Sequence, residues 1–159
     1  MRLCSLEIRS FRCLRHVRVE FSAGLNVLYG PHELGKSTLV EALRAALLLP
    51  VKSKVAEGFI PWGTDEVPQV VVEFEQLQSP ETQDATPTVT RWRLSKSFDT
   101  GSRGVARLDR FTAQGRVVKE ASGRDVDGRL RDLLQWGVPG PGGKGAPRGL
   151  PESYLLTAL

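Results

Sequence analysis

Residues 30–38 read Gly-Pro-His-Glu-Leu-Gly-Lys-Ser-Thr. Two glycines separated by four residues, followed at once by a lysine and two hydroxyl side chains, form a set suited to holding a polyphosphate. Gly30 and Gly35 admit backbone conformations that a side chain would forbid. The N–H groups between them can then turn inward as an anion nest. A helix opening near Lys36 adds the positive end of its dipole to the same spot. Lys36 reaches toward β- and γ-phosphates, the Ser37 hydroxyl suits Mg²⁺, and Thr38 falls near an α-phosphate. The expected ligand is a nucleoside triphosphate, ATP with Mg²⁺. The candidate binding residues are Gly30, Pro31, His32, Glu33, Leu34, Gly35, Lys36, Ser37 and Thr38, with Ser37 the metal-binding one.

Other chemistry-bearing residues lie around this loop. Arg12 precedes it in a short connector and has two readings. Its planar guanidinium could contact phosphate or stack on a base, or it is a solvated turn arginine. His32 and Glu33 sit at the loop tip. A carboxylate beside a triphosphate is unfavourable unless it points away, so Glu33 is expected to face outward. His32 reads as an ordinary loop residue. Glu73 follows Val70–Val72 as a catalytic carboxylate follows an apolar strand. However, Val70, Val72 and Phe74 alternate with Val71, Glu73 and Glu75, which indicates an edge or one-sided strand rather than a buried central one. No catalytic residue is assigned in this segment.

The elements that must position these residues follow from periodicity. Leu3–Arg9 alternates, with Cys4, Leu6 and Ile8 on one face, and His16–Phe21 repeats the pattern. The connector Ser10–Arg15 makes the two an antiparallel hairpin. After the turn at Ala23-Gly24, the compact apolar run Leu25–Tyr29 is expected to be a strand covered on both faces. Beyond the loop, Leu39, Leu43, Ala46 and Leu47 form a helical stripe that Pro50 ends. Val51–Val67 is irregular. Val70–Glu75 and Val89–Phe98 read as strands separated by a polar loop, Gln76–Thr88, with Trp92, Leu94 and Phe98 aligned. Gly104–Thr112 is a partner strand and Gly115–Lys119 a short one. Ser122–Asp125 has capping-box spacing before a helix carrying Val126, Leu130, Leu133 and Leu134. Gly137 and Pro139 end it, Val138–Gly149 is a loop, and Pro151 opens a last helix, Glu152–Leu159. This divides the chain into residues 1–50 (hairpin, P-loop strand and helix), 51–121 (antiparallel lobe) and 122–159 (helices).

The 159 residues suffice for one domain with a core. A hydrophobic content of 40% and a charged content of 25% fit a globular chain rather than a disordered one. Net charge is +4 and the pI about 9.4, which permits a polyanionic partner without requiring one. Cys4 and Cys13 make no disulfide framework; Cys4 reads as a small buried apolar residue. His16 and His32 are too isolated for a metal site. No signal-peptide core opens the chain, and its apolar runs are too short to cross a bilayer, so the expected location is cytoplasmic, with no membrane partner. Arg2, Arg9, Arg12, Arg15 and Arg18 crowd the hairpin, and Arg91, Arg93 and Lys96 add charge later. This set is either a DNA surface or a solvated basic face.

The stretches Leu6-Glu-Ile-Arg-Ser-Phe-Arg12, Val19-Glu-Phe21, Gly24 to Thr38 and Glu41-Ala-Leu43 resemble the head domain of SMC/RecF/SbcC-like ABC-type ATPases, with Glu33 resembling the YhaN-like variant. The resemblance covers the first third closely. It implies an α/β P-loop NTPase fold, the N-terminal half of an ABC-ATPase head, in which a P-loop strand and helix accompany an antiparallel β lobe. It implies that Phe11-Arg12 corresponds to the family's phenylalanine-arginine pair, whose arginine contacts the nucleotide. His32 stands where the family has Asn, and Leu34 where it has a small residue. The family's glutamine loop, signature, Walker B pair and switch histidine are not present. The resemblance therefore implies an N-terminal portion of a longer ATPase, as does the uncapped apolar end at Leu159. In the complete protein two heads (a homodimer) would sandwich ATP and hydrolyse it, acting on DNA in repair, chromosome maintenance or defence. The segment alone would be inactive. A self-contained small P-loop kinase or NTPase and an ABC transporter subunit are the competing readings. The latter is weakened because aromatics are absent between Phe11 and Phe21.

Overall fold

A sheet with alternating inward apolar and outward charged positions needs a cover on one face only, and two amphipathic helices supply it here. The computed structural model describes residues 1–78 and 88–134. Strands β1 (Arg2–Phe11), β2 (Leu14–Glu20), β3 (Gln69–Gln78), β4 (Thr88–Ser97), β5 (Val105–Phe111) and β6 (Val117–Ser122) form one six-stranded sheet in the order β2-β1-β3-β4-β5-β6, with every neighbouring pair antiparallel. The helices are α1 (Lys36–Leu48) and α2 (Asp125–Leu134), and a 3-10 helix spans Lys54–Phe59. Because β1 lies between β2 and β3, the N-terminal hairpin and the later strands share a single sheet. No helix among the described residues is long and apolar enough to cross a membrane.

The core forms where α1 lies on β1, β3 and β4. Leu39, Ala42, Leu43, Ala46 and Leu47 bury one side of α1 together with Leu6, Ile8, Val70, Val72 and Leu94. Val126, Leu130 and Leu133 of α2 complete this layer. Each large side chain buried this way contributes about 1.5–3 kcal/mol. Leu49 is extended (φ −103°, ψ 137°), as the residue before a proline must be, and α1 stops there.

Several expectations change. Leu25–Tyr29 pairs with no strand among the described residues, and Leu25, Val27, Leu28 and Tyr29 are exposed. Its apolar composition suits a strand flanked on both sides, but the described sheet ends at β2 and offers it no neighbour. Cys4 leaves the core face, because β1 gains one residue relative to β3 between Leu3 and Ser5. Leu3 packs on the core instead, and partial burial, followed by the charge of Glu75, raises the Cys4 thiol pKa. β3 extends to Gln78 and β4 begins at Thr88, so Gln76, Leu77, Gln78 and Thr88, expected in a loop, belong to strands; residues 79–87 lie outside the described set. Ser122 ends β6 rather than capping α2, whose first turn instead carries Asp125 and Asp127 against the helix dipole. The features assigned to Gly137, Pro139, Val138–Gly149 and Glu152–Leu159 lie outside the described residues.

Lys96 is not a surface charge. It occupies an inward position of β4 and is almost wholly buried. Its Nζ donates to the Leu49 carbonyl at 2.8 Å and to Asp127 Oδ1 at 2.6 Å. It thus supplies the positive charge that the last turn of α1 itself lacks, and it ties that end to α2. Burial lowers its pKa against the opposing pull of Asp127.

Glu73 lies on β3, third of six strands, so the strand is central although only one of its faces is covered. The Glu73 carboxylate sits on the uncovered face, where it accepts from Arg91 Nη2 at 2.5 Å and Arg93 Nε at 2.8 Å. Both guanidinium groups also stand over the Phe111 ring, at 5.6 and 5.1 Å. Burial pushes the carboxyl pKa up, but the hydrogen bonds from Arg93 and Arg91 outweigh it and hold it below the usual range. A carboxyl with a depressed folded pKa contributes stability above its unfolded pKa of roughly 4.3 and loses it as the pH falls through the folded value. Glu73→Gln should therefore cost about 2 kcal/mol near pH 7. In urea titrations that gap should narrow progressively below about pH 4.3. A gap that stays constant down to about pH 2 would show that the ion pairs do not contribute.

Candidate phosphate-binding site

The 30–38 segment folds as a loop entering α1. Its backbone takes positive φ at Gly30 (151°), Glu33 (67°) and Gly35 (81°). Gly35 is the N-terminal cap residue of α1, no side chain caps the helix there, and no acidic residue occupies its first turn. The first helical bond is Leu39 N to Gly35 O at 2.9 Å. The positive end of the helix dipole is thus left without an acidic or capping side chain.

Lys36 folds back over the loop, and its Nζ donates to the carbonyls of Gly30 at 2.8 Å and Pro31 at 2.5 Å. The ammonium is held at the mouth of the loop by neutral acceptors, which a charged oxygen can displace. Pro31, His32, Glu33, Leu34 and Ser37 are exposed, while Gly35, Lys36 and Thr38 are half-buried. Glu33, expected to face outward, is exposed.

The β1–β2 turn forms one wall. A Cβ at Gly35 would meet Leu14 Cδ2 at 2.6 Å and Cys13 Sγ at 3.3 Å. Cys13 Sγ lies 3.5 Å from Thr38 Oγ1. Arg12 has a left-handed backbone (φ 52°), and its N–H donates to the Phe59 carbonyl at 2.7 Å. Its guanidinium stands 5.9 Å from the Phe59 ring and pairs with Glu41 of α1, Nη2 to Oε1 at 2.6 Å. Beneath it, Phe11 stacks on Phe59 with ring centroids 4.5 Å apart, and Phe98 meets both rings edge-on.

The structure therefore brings Arg12 beside the loop and α1. Sequence reasoning missed the residues that hold it. Glu41 stands four residues after Ser37, a helical spacing that places both on one side of α1, and this was the available signal. Phe59 lies in a stretch read as irregular, where no periodicity marks it.

A sequence profile described as an AAA domain matches residues 5–85, just over half of the chain. The chain belongs to the AAA domain family. The matched region of this AAA domain takes in most of β1 and all of β2, the loop, α1 and β3. Over 43 residues it is 46% identical to the DNA replication and repair protein RecF of Thioalkalivibrio sulfidiphilus, which is 27% of this chain and 12% of RecF. The AAA domain thus aligns with only a small part of that relative's length. Its fold is similar to a solved structure from work on ATP-driven dimerization and DNA-stimulated activation of SMC ATPases, with a TM-score of 0.53 at 17% identity, covering 85% of this chain and 78% of the other. The α/β fold with its antiparallel sheet is thus that of an SMC-type ATPase head, and the chain resembles the N-terminal portion of SMC/RecF-like ATPases.

Replacing Gly35 tests how tightly the turn and the loop are joined. Gly35→Ala forces a side chain into a left-handed conformation and against Leu14. It should cost about 1–3 kcal/mol in urea unfolding. Gly58→Ala, where a Cβ meets nothing within 4 Å, should change stability by less than about 0.5 kcal/mol. Equal effects at the two positions would contradict the packing described.

Proposed function

We propose that this chain binds ATP with Mg²⁺ as the N-terminal portion of an SMC/RecF-type ATPase head. The observation that carries this reading is the Lys36 ammonium held on the Gly30 and Pro31 carbonyls in front of an uncapped helix N-terminus. A triphosphate would draw Lys36 from those carbonyls onto its β- and γ-oxygens, while backbone N–H groups of the loop and first turn take the remaining oxygens. Pro31, His32, Glu33 and Leu34 shape the exposed outer edge of the loop. Arg12 lies on the α1 side and directs its charge to the nucleotide.

The donor set fits the metal in one respect. Ser37 presents an exposed hydroxyl in the first turn of α1, while no cluster of three or more His, Cys, Asp or Glu side chains able to hold a metal occurs among the described residues. Mg²⁺ would thus be held by Ser37 together with the phosphates, and it would neutralise part of their charge.

Hydrolysis belongs, in this reading, to the complete protein. The competing idea of a small self-contained NTPase needs Glu73 as its acid. That carboxylate is engaged by Arg91 and Arg93, on the sheet face turned away from α1. The exposed run Leu25–Tyr29 supports further strands joining this unit in a complete head, and a second head would complete the ATP site.

Lys36→Ala should remove measurable ATP binding in calorimetry while leaving the circular dichroism spectrum unchanged, because Lys36 has charge to offer and no core packing. A folded variant with wild-type affinity would overturn the assignment.

We also propose DNA as a partner of the complete protein, given the DNA-related functions named for the relatives. The candidate surface is the β1–β2 hairpin, where the exposed Arg9 pairs with Glu7 and the exposed Arg18 pairs with Glu20 and reaches Glu7. Duplex binding should be weak and independent of sequence, and should fall steeply with salt through counterion release. The Arg9→Glu/Arg18→Glu double variant should bind more weakly. No binding at low salt, or equal binding by the variant, would remove this hairpin as the surface.

A further inference from the structure

The ion pair between Arg12 and Glu41 joins the β1–β2 turn to the helix that carries the phosphate loop, and no motif assigns a role to Glu41. Its position gives it one. Glu41 stands four residues after Ser37 and three after Thr38, so it shares their side of α1. Helical side chains lean toward the N-terminus, which brings the Glu41 carboxylate over the turn containing Ser37 and Thr38. The contact of Cys13 with Thr38 independently places the turn against that part of α1. Arg12 is fixed at three points: its N–H on the Phe59 carbonyl, its guanidinium beside the Phe59 ring, and Nη2 on Glu41. A guanidinium carries five N–H donors in a rigid plane. Glu41 holds one edge of that plane, and the side chain remains 45% exposed.

We propose that Glu41 is a positioning residue. It fixes the rotamer of Arg12 so that the remaining donors face a nucleotide held on the loop, and it offsets the charge of Arg12 while the site is empty. The inference rests on the nucleotide-binding reading above. Without Glu41, ATP must itself immobilise a long flexible side chain. Without Arg12, the Glu41 carboxylate stands unpaired near the phosphates and repels them.

A double-mutant cycle tests this on the full chain, with the affinity for ATP and Mg²⁺ measured by calorimetry and stability by urea unfolding. Glu41→Ala should weaken ATP binding about two- to tenfold, the range that corresponds to ordering one side chain. In an Arg12→Ala background, the same substitution should cause no loss or a gain in affinity. Glu41→Gln, which keeps an acceptor for the guanidinium, should recover part of the affinity. A purely structural role would give the same loss of affinity in both backgrounds, accompanied by a loss of stability, and would overturn the proposal. Tighter binding by Glu41→Ala alone would mean that Glu41 holds Arg12 away from the nucleotide, and would overturn it too. Failure of the wild-type chain to bind ATP would overturn the nucleotide reading itself. ATP binding that depends on Lys36 but shows no coupling between Arg12 and Glu41 would overturn only this inference.

Discussion

The apolar stripe of α1 pressed on β1, β3 and β4 is the contact to which every other feature of the site is referred. The phosphate loop has little packing of its own, since most of its residues are exposed. It is placed because the helix that follows it is placed. The stripe fixes the axis and rotation of α1, and so fixes where the open N-terminus points and which side carries Ser37, Thr38 and Glu41. The two ends of the helix are treated differently. At the C-terminal end, buried Lys96 satisfies the Leu49 carbonyl and supplies the charge favoured by the dipole. At the N-terminal end no side chain caps the backbone. One end is closed by the fold and the other is left uncapped.

A second constraint locks the turn to this helix. Phe11 is fully buried against Phe59 and Phe98, so the end of β1 cannot shift along the sheet without opening the aromatic cluster. That anchoring supports left-handed conformations at Ser10 and Arg12, which cost non-glycine residues roughly 1–2 kcal/mol each. The backbone strain and the ion pair to Glu41 occur in the same turn. This is the arrangement expected where an arginine must be held in one direction rather than left to sample solvent.

Much of this was legible in the sequence because it rests on local pattern. The alternation in Leu3–Arg9, Val70–Glu75 and Val89–Phe98 located three strands, and the 3.6-residue stripe with Pro50 located α1. What escaped depended on partners. Leu25–Tyr29 has the composition of a covered strand, but composition does not supply the cover. The extra residue at Cys4 shifts the register only because β3 sets it, so periodicity within β1 could not show it. Lys96 is the sharpest case: alternation through Trp92, Leu94 and Phe98 already placed it inward, and only its charge argued otherwise. Its solution, a carbonyl from α1 and a carboxylate from α2, comes from residues distant in sequence. The pairing of Arg12 with Glu41 spans the whole loop between them and was hidden for the same reason.

The two faces of the sheet divide the charges by task. On the uncovered face arginines are matched with carboxylates: Arg2 with Glu75, Arg91 and Arg93 with Glu73, and Arg107 with Asp109. Charges paired in this way steady the strands and have little left for an outside anion, since binding phosphate would require breaking an existing pair. Around Glu7 the balance is similar, with that carboxylate shared by Arg9, His16 and Arg18 while Arg18 also meets Glu20 at 3.2 Å. At the loop it differs, because Lys36 rests on neutral carbonyls and must give up no carboxylate to meet a phosphate. The net positive charge of the chain is therefore a poor guide to where an anion would bind. What counts is whether a cation's charge is already answered by a carboxylate, and Lys36, at the mouth of the loop, rests on neutral carbonyls beside an uncapped helix N-terminus.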